Sequence, residues 1–505
     1  MVSGNKRIAK NTLFLYIRMF LIMGVTLYTS RVILDKLGVE DYGLCNVVGG
    51  VVGMLSFLTG TLSTGTTRFI TYELGAGTQK KLRETFSTAF YAHLGLAVIM
   101  IVLLETIGLW FVYNKLIIPE ERFDAAIWVY HISIATLLVS ITQVPYTADI
   151  MAHERMGIYA YISIFESLAK LGVCYALIIS PMDRLVFYAI LLAVVQILVA
   201  LFYRVYCARQ FDEAHLLSSF NKPIFKRMMS FSGWNIIANI VETIKLQGIV
   251  VLMNMFFLPA VVGAQAFANQ VSSALMQFVT NFRTAINPQI IKLYAAGDYE
   301  GSRKLTLNTT VYVYDLILLL GLPCILAMPK ILDIWLVEVP DYTVIFCQYA
   351  IAYNILSTFS AAFYIPMMAS GKVKTNSLAG LFFGIGQFIL LYVILKFGGG
   401  VMWVQYLNIS IAIVFGFFVK PWILVREVDY SISEMLHCYW VCLKITVTSL
   451  VLPLVCLFTL DMDSLLNNVI LVIVSIVSIS ATALIFMDKQ TRLKLFTFIK
   501  SKITH

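Results

Sequence analysis

The fold class this sequence predicts is an all-α polytopic membrane protein of about fourteen transmembrane helices, arranged as two six-helix lobes and a carboxy-terminal helix pair. Three observations carry that reading. Of 505 residues, 60% are hydrophobic and only 13% charged, whereas soluble domains carry roughly 25% charged residues. Apolar runs of about twenty residues, enough to cross roughly 30 Å of hydrocarbon as a helix, recur along the whole chain. These runs are continuous and lack the period-two alternation of an outer-membrane barrel strand.

The first run, 11–33, exceeds the roughly 7 to 15 apolar residues of a signal-peptide core, and no small-residue cleavage site follows it, so it is expected to stay as a helix. The second, 43–66, is rich in Gly, Ser and Thr, and Gly49 and Gly53 are spaced four apart for close helix packing. Runs at 85–113, 124–147, 157–180 and 184–207 complete a lobe over 1–207. Residues 208–230, with Asn221-Lys222-Pro223 and mixed basic and aromatic side chains, read as a linker along the cytoplasmic interface. A second set of six at 231–256, 259–287, 305–328, 342–367, 376–397 and 400–421 makes a lobe over 231–428. The runs 438–460 and 464–486 form the final pair within 429–487, and 488–505 is a basic tail.

Basic residues orient the chain. With a cytoplasmic amino terminus, 25 Lys and Arg fall in cytoplasmic segments and 7 on the opposite side, which places both termini in the cytoplasm. The net charge of +9 is then a basic face beside anionic lipid, with no call on nucleic acid. Sliding the chain on itself by 220 residues brings Gly43 onto Gly263, Val51 onto Val271, Thr64 onto Thr284, Ala76-Gly77 onto Ala296-Gly297 and Arg83 onto Arg303, among 8 identities in 41 positions. Helices 1–6 and 7–12 then superpose in the same orientation, a parallel repeat about an axis along the membrane normal.

No segment outside the expected spans is longer than roughly twenty residues, and no GxxxxGK[ST] phosphate loop occurs, so neither ATP hydrolysis nor an enzyme with catalytic residues is expected. The eight cysteines form no CxxC pair and read as small buried hydrophobes. Ala152-His153-Glu154-Arg155 lacks the second ligand at i+4 that a zinc helix requires, so it reads as loop surface and no metal is expected.

Charges inside spans are costly and mark function. Arg18 lies roughly 10 Å into the first helix with no acid at i±3 or i±4. Lys170 follows Glu166 by four residues, the favourable order for a helical ion pair, and reads as a structural or coupling pair. Asn235, Asn239, Glu242 and Lys245 share one stripe of the seventh helix. Glu242 and Lys245 either compensate each other or serve a coupling cation and an anionic substrate. The eighth helix carries Gln277, Asn281 and Arg283, and Arg283 has no acid within four residues. Guanidinium groups stay charged and chelate phosphate oxygens in a fork, so an anionic, phosphorylated substrate is expected.

The segment Ser30-Arg31 through Leu37-Gly38-Val39-Glu40-Asp41-Tyr42-Gly43, the second helix ending in Arg68-Phe69, Pro145-Tyr146, Ala152-His153-Glu154, Gly233-Trp234-Asn235, Asn287-Pro288-Gln289 and the Ala296-Gly297-Asp298 turn together resemble the Wzx-type polysaccharide flippases of the MATE-like multidrug/oligosaccharidyl-lipid/polysaccharide superfamily, in their Bacteroides-like version. That resemblance implies alternating-access export of undecaprenyl-pyrophosphate-linked repeat units for O-antigen, capsule or related polysaccharide. It implies glycosyltransferases and a polysaccharide polymerase as partners, and a proton or sodium as coupling ion with no other cofactor. Arg18 and Arg283, with Lys245, would meet the pyrophosphate. Asn239, Asn281 and Gln277 would touch sugars, Arg31 would assist release, and Glu242 or Glu166 would couple the cycle. The last helix pair would line a groove for the polyprenyl tail. Two competitors stay open: a cation-coupled multidrug antiporter of the same fold, and a membrane glycan polymerase or ligase.

Overall fold

The computed structural model describes residues 2–76, 78–153, 155–217, 220–229, 243, 247–487 and 492. Among them are ten helices long and apolar enough to cross a membrane. In chain order the helices are α1 (Val2–Leu37), α2 (Val39–Gly53), α3 (Ser56–Ala76), α4 (Gln79–Lys115), α5 (Glu120–Ala152), α6 (Gly157–Ile179), α7 (Arg184–Gln210), α8 (Ile249–Asn254), α9 (Pro259–Ala295), α10 (Tyr299–Leu326), α11 (Met328–Trp335), α12 (Thr343–Ala369), α13 (Lys374–Lys396), α14 (Trp403–Val428), α15 (Ile432–Thr459) and α16 (Leu465–Phe486). The chain is thus a multi-pass, all-helical membrane protein among its described residues.

One expected helix is divided. The run 43–66 splits into α2 and α3 at Met54 and Leu55, where the Leu55 amide reaches back only three residues, to the Val52 carbonyl at 3.3 Å. Gly49, Gly50 and Gly53 with β-branched Val51 and Val52 form a stretch of low helix propensity, which lets the turn tighten there.

Two compact units result. The first is Met1–Ala266 with Trp335–Asp341 and Gly380–Val401; the second is Phe267–Ile334, Tyr342–Ala379 and Met402–His505. In unit 1, α5 is the central helix and packs against α2, α3, α4 and α7, while α1 lies along α6. Its interior holds Tyr130, Phe86, Ile141 and Leu185, all shielded. Arg122 fastens one end, donating to Asp41 at 2.6 and 2.8 Å and to Asp183 at 2.5 Å, and Asp183 in turn caps α7 through the Leu185 and Val186 amides. The glycines that the 220-residue offset aligns also meet: a Cβ on Gly43 would lie 2.0 Å from the Pro259 carbonyl oxygen, and one on Gly263 3.7 Å from the Gly43 Cα. In unit 2, α10 is packed by α12, α15 and α16, with Ile317, Phe346, Ile351 and Ile445 buried.

Two helices loosen into π-turns, at Leu104–Gly108 in α4 and Val414–Val419 in α14. A π-turn diverts backbone carbonyls from the α pattern, and in each a tyrosine takes advantage: Tyr130 donates to the Leu104 carbonyl at 2.6 Å, and Tyr439 to the Gly416 carbonyl at 2.7 Å.

Candidate functional site

Unit 2 gathers two cations inside its spans. Arg283, on α9, is half-buried and donates to the Ala361 carbonyl. Close by, α12 is interrupted at Phe363, three residues before Pro366, whose missing N–H and ring disturb the preceding turn. Lys420, on α14, directly follows the π-turn and is only 4% exposed. Its ammonium sits 5.4 Å from the ring centres of both Tyr364 and Phe415, a cation–π arrangement. Both cations lean on the same stretch of α12, Arg283 on the Ala361 carbonyl and Lys420 on the Tyr364 ring three residues further on. Among the described residues no carboxylate pairs with either cation. Two like charges in a low-dielectric setting repel and are poorly solvated, so the arrangement is complementary to an anion.

The structure distributes the other expected site residues as follows. Gln277 is exposed on α9, six residues before Arg283. Arg31 is exposed on α1, in unit 1. Glu166 and Lys170 form an ion pair of 2.6 Å along α6, both partly exposed. Asn239, Glu242 and Lys245 lie outside the described residues, as do the side chains of Arg18, on α1, and Asn281, on α9.

Two residues that sequence reasoning passed over belong here. Lys420 falls at the very end of the expected span 400–421, where a basic residue reads as a cytoplasmic anchor, but α14 runs on to Val428 and encloses it. Asp315 sits in the middle of α10 with its Oδ1 buried and without a hydrogen-bond partner. An acid within the apolar run Val313-Tyr314-Asp315-Leu316-Ile317 answers to the same intramembrane-charge rule that singled out the arginines.

Unit 2 also contains a cavity of about 680 Å³ between α10, α15 and α16. Glu300, Arg303, Lys304 and His437 line its polar part, Val311 and Phe486 its apolar part. Arg303 is held there by Glu434 at 3.2 Å and by the Asp429 carbonyl at 3.0 Å.

The reading of His153 as loop surface is corrected. It caps α5, stacks on Phe211 with ring centres 4.0 Å apart, and lies 2.6 Å from Glu213, sixty residues away in sequence.

No family model matches the chain, and no curated protein matches its sequence. Solved structures match its fold. The lipid II flippase MurJ in an inward closed conformation aligns with a TM-score of 0.70 at 14% identity, over 94% of this chain and 98% of its own. An inward-facing multidrug resistance MATE family transporter of the MOP superfamily aligns at 0.68 and 14% identity, over 82% of this chain and 99% of its own. A MOP superfamily transporter from Pyrococcus furiosus, described by the reverse polarity of its binding pocket, aligns at 0.59 and 15% identity, over 84% and 97%. The fold is therefore one this chain shares with these transporters and with the flippase.

Proposed function

We propose that this chain is a flippase for a lipid-linked oligosaccharide, carrying undecaprenyl-pyrophosphate-linked repeat units across the bacterial inner membrane by alternating access, as a transporter and not an enzyme. The observation that carries this reading is the pair Arg283 and Lys420, two intramembrane cations with no carboxylate partner among the described residues. A pyrophosphate supplies the missing counter-charge. Guanidinium engages its oxygens as a fork, and ammonium acts as a compact point charge on the other phosphate. Arg18 and Lys245 remain further candidates for phosphate, Asn239, Asn281 and Gln277 for sugars, and Arg31 for release. The cavity between α10, α15 and α16, charged at one part and apolar at another, suits an amphiphile and supports a role for the last helix pair in holding a polyprenyl tail. Consistent with that, the alignment to the lipid II flippase takes in 94% of this chain, against 82% and 84% for the two transporters.

Coupling falls to a proton or sodium at Glu242, Glu166 or Asp315, aided by the membrane potential at about 2.3 kcal/mol per charge per 100 mV. Export of this kind places glycosyltransferases upstream and a polysaccharide polymerase downstream. Proteoliposomes loaded with fluorescent lipid-linked oligosaccharide test the reading. Arg283→Ala and Lys420→Ala are each expected to slow transbilayer movement by more than about tenfold while the protein still inserts and melts normally. Equal rates in wild type and both variants would sink it. One observation favours a second reading: the unpartnered Asp315 fits a cation-coupled multidrug antiporter, and efflux of cationic dye driven by an ion gradient, without lipid movement, would select that instead.

A further inference from the structure

In unit 1 the last turn of α5 places Asp149 and His153 four residues apart, on one face of the helix. The short helical turn Asp212–Ala214 that follows α7 brings Glu213 onto them. One donor atom from each of the three residues lies within 4.8 Å of the other two. The His153 Nε2 is 2.6 Å from Glu213 Oε1 and 3.8 Å from Asp149 Oδ1. Asp149 is 0% exposed and Glu213 2%. Both carboxylate oxygens of Asp149 are buried without a hydrogen-bond partner, and the charge it faces is that of Glu213. Among the described residues no Lys or Arg pairs with either acid. Two carboxylates side by side in the protein interior, served by a single imidazole, are unfavourable unless they share a proton or a cation joins them, and the imidazole set against both makes the cluster a metal-type donor set.

We propose that Asp149, His153 and Glu213 form a binding site for one divalent transition-metal ion of the zinc or manganese type. The imidazole favours these over magnesium or calcium, which take oxygen ligands. Water fills the fourth position, as in zinc sites with three protein ligands. With metal–ligand bonds of about 2.0–2.2 Å, tetrahedral donors sit roughly 3.4 Å apart. The 2.6 Å pair therefore opens and the 3.8 Å pair closes, each by less than about 1 Å. The surroundings hold the ligands in place: Phe211 stacks on the imidazole, and the Gln79 amide donates to Glu213 Oε2 at 3.3 Å, the kind of outer support that fixes ligand orientation. The bound ion fastens the segment after α7 to the end of α5, tying the exit of one helix to the cap of another within the same unit.

Full-length chain purified in detergent and stripped with chelator is titrated with zinc chloride or manganese chloride. Calorimetry and, for manganese, electron paramagnetic resonance count the bound ion, and thermal unfolding is followed in parallel. One ion per chain is expected, with a rise in melting temperature that chelator reverses. Asp149→Asn and Glu213→Gln are each expected to weaken binding by more than about 100-fold. Because each removes one of two facing charges, the metal-free melting temperature holds or rises, which separates lost ligation from lost folding. If a variant fails to fold, the chelator-reversible shift of the wild type decides. Absence of saturable one-to-one binding in wild type, or unchanged affinity in both variants, overturns the proposal.

Discussion

At the scale of single residues, charge inside the membrane was legible when the helix around it was correctly bounded. Arg283 stood out because no acid lies within four residues, and the structure gives it only a backbone carbonyl for partner among the described residues. Lys420 escaped because Pro421 follows it and the apolar run ends there, so it looked like a loop anchor; proline at the next position is compatible with a helix already in progress through a π-turn. Asp315 is a lone acid in the apolar run of α10, and a single carboxylate stands out less there than an arginine does. Its Oδ1 is buried without a hydrogen-bond partner, which is why the proposed coupling includes it. Asp315→Asn is therefore expected to abolish the dependence of lipid flipping on the ion gradient while leaving gradient-free, exchange-type movement within about twofold. Flipping assays with and without an imposed proton or sodium gradient read this directly, and an unaltered gradient dependence would remove Asp315 from the coupling path.

At the scale of elements, hydrophobic run length located the helices well, and what it missed were interruptions inside them. A break at Met54, a π-turn at Leu104–Gly108 and an interruption at Phe363 leave the apolar run continuous, so run length does not mark them. The first and last have local causes, a glycine-rich stretch and Pro366, whereas the π-turn goes with a tertiary contact. Tyr130 from α5 donates to the Leu104 carbonyl, and its hydroxyl occupies the space where a Gly108 side chain would be, 2.2 Å from an ideal Cβ. Gly108→Ala is expected to destabilise the protein by about 1–3 kcal/mol through overpacking. Tyr130→Phe removes the hydroxyl and costs about 1 kcal/mol for the orphaned carbonyl. Since the phenyl ring no longer meets the added methyl, the double variant is expected to melt well above the sum of the two losses. Strict additivity in thermal unfolding would mean that the hydroxyl does not shape the turn. Contacts distant in sequence explain the metal cluster in the same way: His153 is readable in the chain, but Glu213 reaches it only through the fold.

For the whole molecule, composition and run length were enough to give a multi-pass helical bundle, and the fold aligns with transporters at 14–15% identity, where few individual residues coincide. What survives such divergence is the physical pattern: about twenty apolar residues per crossing and positive charge concentrated on one side. That pattern makes a prediction about orientation that is independent of any substrate. The turn Asp461–Asp463 between α15 and α16 is acidic and lacks any Lys or Arg, whereas the segment after Phe486 carries Lys489, Arg492, Lys494, Lys500 and Lys502. Since basic residues resist translocation and acids contribute little, the turn should lie outside and the carboxy terminus in the cytoplasm. A green fluorescent protein fused after His505 is expected to fluoresce, because it matures in the cytoplasm. A single cysteine placed at Asp463 in an otherwise cysteine-free chain is expected to react with a membrane-impermeant maleimide in intact spheroplasts. The reverse pattern, a dark fusion and an unlabelled turn, would invert the entire chain and put the cavity lined by Arg303 and Lys304 on the outer side.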